Sequence, residues 1–137
     1  MSNKILVDSN VILDILTEDP HWCAWSATQI ETLGDTHSFA INPIIYAEIS
    51  IRFSRIEDLD DALSTANFIR LPLPWDAAFL AGKVFMQYKK NQGTKHSTMP
   101  DFYIGAHAAV QSMPLLTRDI SRYKTYFPTV ELISPMS

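Results

Sequence analysis

Short apolar runs, each followed within a few residues by a helical pattern, recur along this chain and constrain its fold more than any other feature. Residues 4–9 form an apolar strand that leads at once into Val11, Ile12, Leu13, Ile15 and Leu16, the start of a βα unit. Residues 20–33 read as a second helix, ended by Gly34. A short strand over 38–42 runs into a helix beginning near Pro43, a favoured first-turn residue. Residues 56–66 form an acidic amphipathic helix, and 68–71 a short strand. A long helix over 74–92 carries Asp76 in its first turn and Lys89 and Lys90 in its last, as the helix dipole favours. Residues 91–98 are the clearest loop. A further helix starts near Pro100, an apolar strand covers 114–117, a short helix headed by Asp119 runs through Phe127, and 130–133 is a final strand. Strands that alternate with helices imply a parallel sheet covered on both faces. With no repeat, low-complexity tract or linker in view, residues 1–137 are expected to form a single α/β domain.

A chain of 137 residues, 47% apolar, is long enough to bury a core of its own. No apolar run approaches the roughly 18 residues of a membrane span, and no basic-then-apolar leader opens the chain. A soluble, cytoplasmic protein without a membrane partner is therefore expected. The single cysteine, Cys23, excludes an intramolecular disulfide framework and is expected to pack in the interior.

Four carboxylates stand in apolar settings. Asp8 ends Ile5-Leu6-Val7 and precedes Ser9-Asn10-Val11, and Asp119 ends Leu115-Leu116-Thr117-Arg118. Glu48 lies among Ile44, Ile45 and Ile51 at helical spacing, so its carboxylate projects from an apolar face. Asp101 follows Pro100 and has Gly105 and Ala108 on its own helix face, which leaves room for an ion, its waters and a phosphate. Ionised acids are costly in such places unless cations or hydrogen-bond donors compensate, and oxygen-only ligand sets suit hard divalent ions. Each acid also has a simpler role open to it. Asp8 and Asp119 can cap helices, Glu48 can reach solvent or pair with Arg52, and the small residues beside Asp101 can serve close helix packing. Asp14, Asp58, Asp60, Asp61 and Asp76 lack comparable settings, and surface or capping roles are expected for them. His21, His37 and His96 show no ligand spacing, and His107 falls on a different face from Asp101.

Charge is divided along the chain. Residues 1–82 carry 4 basic and 12 acidic side chains, whereas 83–124 carry 7 basic and only 2 acidic, Asp101 and Asp119. An acidic cluster set in a basic stretch suits a polyanion brought to a metal. Lys89, Lys90, Lys95, His96 and Arg118 are the candidate contacts to such a polyanion, although these cations can equally be solvated helix faces.

Asp8-Ser9-Asn10-Val11, the helical Glu48, Pro100-Asp101-Phe102-Tyr103-Ile104-Gly105-Ala106-His107-Ala108, Leu115-Leu116-Thr117-Arg118-Asp119 and the run Arg122 to Pro128 together resemble the PIN-domain ribonucleases. They are most similar to the VapC-type toxins of bacterial toxin–antitoxin pairs, over nearly the whole chain. The resemblance implies a three-layer α/β/α sandwich with a central, mostly parallel sheet. It also implies an endoribonuclease in which Asp8, Glu48, Asp101 and Asp119 are catalytic and hold Mg²⁺ or Mn²⁺. Ser9 and Thr117 would supply hydroxyls at the rim, with Asn10 orienting the loop. A homodimer is implied, as is silencing by a VapB-like antitoxin laid across the acidic groove. The loop before Pro100, usually Arg-rich in the family, carries Lys95 and His96 here.

Two other readings compete with this one. A receiver-like phosphotransfer domain needs a lysine at the end of a late strand, where this chain has Thr117-Arg118-Asp119. A non-catalytic PIN-like binding module would not need the complete carboxylate set.

Overall fold

A computed structural model describes residues 3–91 and 99–135. Its elements follow the order β1 (Lys4–Val7), α1 (Ser9–Leu16), α2 (Cys23–Leu33), β2 (Ser38–Ile41), α3 (Pro43–Ser50), α4 (Ile56–Ser64), β3 (Ile69–Arg70), α5 (Trp75–Lys90), α6 (Met99–Val110), β4 (Leu115–Leu116) and β5 (Leu132–Ile133). A 3₁₀ turn over Ile120–Arg122 lies between the last two strands. The five strands form one sheet in the order β3-β2-β1-β4-β5, and every pairing is parallel. Helices cover both faces, which gives the three-layer α/β/α sandwich the alternating pattern predicts.

The sheet order positions the site. From β1 the chain moves outward through β2 and β3 on one side, then crosses back to β4 and β5 on the other. The connections therefore diverge between β1 and β4, and the carboxyl ends of these two strands are the switch point at which open α/β sheets bind ligands. Val7 pairs with Leu116, so the segments that follow β1 and β4, headed by Asp8 and Thr117, leave the sheet side by side. Asp8 N–H donates to Leu116 O at 2.9 Å and closes this junction.

The central strands are apolar on both faces, as a parallel sheet between helices requires. Ile5, Leu6, Val7, Leu115 and Leu116 are fully buried. On one flank Phe85, Tyr88, Phe102, Tyr126 and Phe127 form an aromatic cluster with ring centroids 5.3–6.2 Å apart, which ties α5 and α6 to the segment after the 3₁₀ turn.

Several sequence expectations need correction. The helix expected from Asp119 through Phe127 reduces to the 3₁₀ turn, followed by hydrogen-bonded turns such as Phe127 N–H to Tyr123 O at 2.8 Å. Both Tyr123 and Phe127 reach the core, and Pro128 closes the segment. Gly105 does not leave room for an ion. A Cβ there would lie 2.4 Å from the Phe127 ring, so the small residue serves close packing. Ile51, counted in the apolar surroundings of Glu48, lies beyond the end of α3 and is 81% exposed. Cys23 is only partly buried, at the first position of α2. Of the expected 91–98 loop, only Asn91 falls within the described residues.

Candidate active site

Asp8 is the centre of the candidate site. It is fully buried at the carboxyl end of β1, where it caps α1 through Ser9 N–H, 2.8 Å from its Oδ1. Its Oδ2 accepts three further donors: the Tyr123 hydroxyl at 2.8 Å, the Thr117 hydroxyl at 2.9 Å and Asn10 Nδ2 at 3.4 Å. The capping role and the site role thus fall on one residue. Burial pushes the Asp8 carboxyl above the usual carboxylate range, while the bonds from Tyr123 and Thr117 and the charge of Arg122 hold it back.

Glu48 approaches from α3. Its Oε1 accepts the Ser9 hydroxyl at 2.8 Å, which links α3 directly to the residue after Asp8. Its carboxyl is also raised, first by burial and then by the negative charges of Asp8 and Asp101, against the Ser9 bond and Arg122. Asp101, buried in the first turn of α6, acts on the charge of both Asp8 and Glu48. Three acids from three separate elements therefore share one electrostatic environment.

Asp119 joins through Arg122. The Arg122 guanidinium donates from Nε to Asp119 Oδ2 at 2.8 Å and from Nη1 to Asp101 Oδ1 at 3.3 Å. Asp119 stands at the head of the 3₁₀ turn but makes no side-chain capping bond there. Its Oδ1 accepts the Ser121 hydroxyl at 2.8 Å, and its backbone N–H donates to Thr117 Oγ1 at 3.1 Å. Burial works against the charge of Arg122, yet Asp101, Asp119 and Asp8 outweigh it and raise the guanidinium's pKa.

The hydroxyl residues expected at the rim, Ser9 and Thr117, are instead buried and bonded to Glu48 and Asp8. Thr117 bonds Asp8 and receives Asn10 Nδ2 at 3.3 Å, and Asn10 Oδ1 accepts Arg118 N–H at 3.4 Å. Asn10 thereby holds the β1 and β4 exits together. Arg118 itself is not a free cation beside these acids. It pairs with Asp14 at 2.8 Å and lies over the Trp22 ring, 5.5 Å from its centroid. Asp14, expected at the surface or in a cap, is buried and accepts both Arg118 and the Ser26 hydroxyl. Lys89 and Lys90 are exposed at the end of α5, while Lys95 and His96 lie outside the described residues.

Two residues of this site were not singled out from the sequence. Arg122 carries one signal, its position three residues after Asp119. Tyr123 carries another, since with Phe127 it makes an i, i+4 aromatic pair.

Carboxylate and hydroxyl oxygens from Asp8, Glu48, Asp101, Asp119, Ser9 and Thr117 are the donor set of a hard divalent cation, and in that sense the site fits Mg²⁺ or Mn²⁺. Among the described residues, however, no three acids, histidines or cysteines converge closely enough to form a finished ion cage. The arrangement explains why: a guanidinium stands between Asp101 and Asp119 and supplies the positive charge they require.

This chain belongs to the PIN domain family, whose pattern it matches over residues 5–128. No curated protein matches it in sequence. Among solved structures it is similar to VapBC2 from Rickettsia felis bound to a promoter DNA fragment, at 16% identity over 96% of this chain and 98% of that one, with a TM-score of 0.74. It is also similar to VapBC-1 from nontypeable Haemophilus influenzae, at 17% identity over 98% and 99% of the two chains, with a TM-score of 0.74. A toxin–antitoxin complex from Klebsiella pneumoniae is 21% identical over 96% and 97%, with a TM-score of 0.66.

Proposed function

We propose that the chain is a metal-dependent endoribonuclease and the toxin of a toxin–antitoxin pair. One observation carries this reading. Asp8 is a fully buried carboxylate at the switch point of a parallel sheet, and Glu48 and Asp101 add negative charge around it. A fold gains nothing from crowding acids in this way, because their repulsion and desolvation both cost stability. A site built for divalent cations gives the crowding a purpose.

In this reading Asp8, Glu48, Asp101 and Asp119 hold Mg²⁺ or Mn²⁺. Such an ion supplies Lewis-acid polarisation of a phosphate and a lowered pKa for bound water. The protein's own part is positional. Thr117, Tyr123 and Asn10 fix the rotamer of Asp8, Ser9 fixes Glu48, and the packed β1 and β4 exits keep the acids at one edge. Lys89 and Lys90, together with Lys95 and His96 in the following segment, draw the RNA backbone towards that edge by charge.

The fold likeness to complexes described as VapBC and as toxin–antitoxin supports a VapB-like antitoxin as partner. A partner surface of the right character exists on α5. Trp75, Phe79 and Met86, at helical spacing, are 90%, 68% and 56% exposed, an apolar stripe that a lone chain would leave in water. We assign this stripe to a homodimer contact.

Incubating the purified chain with total RNA, with Mg²⁺ or with chelator, and mapping new ends tests the reading. New ends that need both the ion and Asp101 support it. Intact RNA under every metal condition leaves the chain a non-catalytic binding module.

A further inference from the structure

Arg122 lies within the acidic cluster, yet the proposed chemistry assigns it no task. Its guanidinium bridges Asp101 and Asp119, and Asp8 adds to the attraction it feels. Its backbone is held in place, because the next residue, Tyr123, is fully buried and bonded to Asp8. Its side chain is not enclosed, being 40% exposed, and Asp119 is 33% exposed. The Arg122–Asp119 pair, with this much solvent access, is weak and exchanges readily, whereas Asp101, 5% exposed, needs a replacement cation before it releases the guanidinium. Arg122 is therefore a cation on a fixed mount with a movable head.

We propose that Arg122 is the counter-cation of the metal-free site, and that it yields Asp101 and Asp119 to an incoming divalent ion and turns to the substrate's phosphate. The inference rests on the nuclease reading above and deepens it. Two charges of the same sign cannot share the space between Asp101 and Asp119 without large repulsion, so ion and guanidinium exclude one another there. A guanidinium freed in this way keeps its planar fork of donors, which matches a phosphate and which lysine cannot reproduce. The hand-over keeps the cluster compensated at each stage: by Arg122 before the ion arrives, and by the ion afterwards.

The test compares Arg122→Gln with Lys124→Gln, which removes a cation from an exposed neighbouring position outside the ion-pair network. Arg122→Lys serves as a charge-retaining variant, and circular dichroism confirms folding. Calorimetric titration with Mn²⁺ should show Arg122→Gln binding the ion about fivefold more tightly than Lys124→Gln, the scale of one partly exposed ion pair relieved of competition. With Ca²⁺ in place of Mn²⁺ to limit cleavage, Arg122→Gln should bind a single-stranded oligoribonucleotide about fivefold more weakly than Lys124→Gln. Arg122→Lys should fall between wild type and Arg122→Gln in both assays. Equal Mn²⁺ affinity for the two Gln variants overturns the competition. A gain in Mn²⁺ affinity with unchanged RNA binding overturns the hand-over. Both outcomes leave metal-dependent cleavage by the wild type intact. A wild-type chain that binds no divalent ion removes this inference and the nuclease reading together.

Discussion

The Tyr123 hydroxyl donates to Asp8 Oδ2 at 2.8 Å inside a fully buried environment, linking the first strand's exit to a residue 115 positions later. Burial, then the charges of Asp8 and Asp101, raise the Tyr123 phenol well above its ordinary pKa, so it remains a donor. Tyr123→Phe keeps the ring and removes this donor from a buried carboxylate. A loss of about 1.5–3 kcal/mol is expected in urea denaturation at neutral pH, the range for hydrogen bonds to charged groups. The loss should shrink in acid, where Asp8 is protonated and needs less compensation. No loss at either pH would show that Tyr123 contributes packing alone, and an equal loss at both would show that its bond does not depend on the charge of Asp8.

Arg118 and Asp14 provide a second test, because the sequence suggests an RNA contact where the structure has an internal ion pair. Asp14 is 3% exposed in its side chain, and Arg118 31%. Arg118→Ala strands a buried carboxylate beside Ser26. It should destabilise the fold by about 2 kcal/mol, below the usual cost of breaking a fully buried pair because Arg118 is partly solvated. Asp14→Asn on that background should restore part of the loss. Unchanged stability, with a flatter salt dependence of RNA binding, would return Arg118 to the substrate.

His107 bridges Asn42 and Gln111 in the core, with Nδ1 3.0 Å from Asn42 Nδ2 and Nε2 3.2 Å from Gln111 Oε1. The amide of Asn42 can only donate, since its Oδ1 already caps α3 through Ile45 N–H. His107 is then neutral, with its proton on Nε2. Burial lowers its pKa below the ordinary 6.5, so the unfolded chain takes up this proton first as pH falls. The contribution is fully present above pH 6.5 and is lost as pH falls through the folded-state value. Imidazole NMR shifts should show a titration midpoint below 6.5 and, above it, the neutral tautomer with its proton on Nε2. A titration midpoint at or above the ordinary value would contradict this.

Much of this architecture is legible in the sequence, for physical reasons. Strand β1 and helix α1 can be read because an apolar run meets a helical apolar period across Asp8-Ser9-Asn10, and Pro43 marks the start of α3. The acids can be read because ionised groups are conspicuous beside Leu and Ile. What cannot be read is pairing. Nothing local to Arg118 says that it turns to Asp14, 104 positions away, and nothing local to Arg122 says that it bridges Asp101. The same holds for Gly105: small residues make room, but sequence does not say for what, and here the Phe127 ring takes the space. The segment after Asp119 reads as helix by its cap, yet two buried aromatics and Pro128 leave it as turns.

The apolar stripe on α5 gives a prediction about assembly. Trp75→Glu with Phe79→Glu should convert a dimer into monomers in light scattering at matched concentration. Loss of two aromatic anchors weakens association by on the order of a hundredfold or more. A wild-type chain that is already monomeric would free the stripe for a different partner.

Divalent-ion binding by the four acids is the central claim, and thermal stabilisation reads it without depending on turnover. At an ion concentration about 100 times its Kd, binding to the folded state alone adds about 2.7 kcal/mol and raises Tm accordingly. Wild type should show this rise with Mn²⁺, and Asp60→Asn, altered in the surface network with Tyr46 and Arg70, should show it undiminished. Asp8→Asn and Asp101→Asn should lose most of it, together with Mg²⁺-dependent RNA cleavage. An undiminished Mn²⁺ shift in both of these variants, with cleavage at the wild-type rate, would contradict the account.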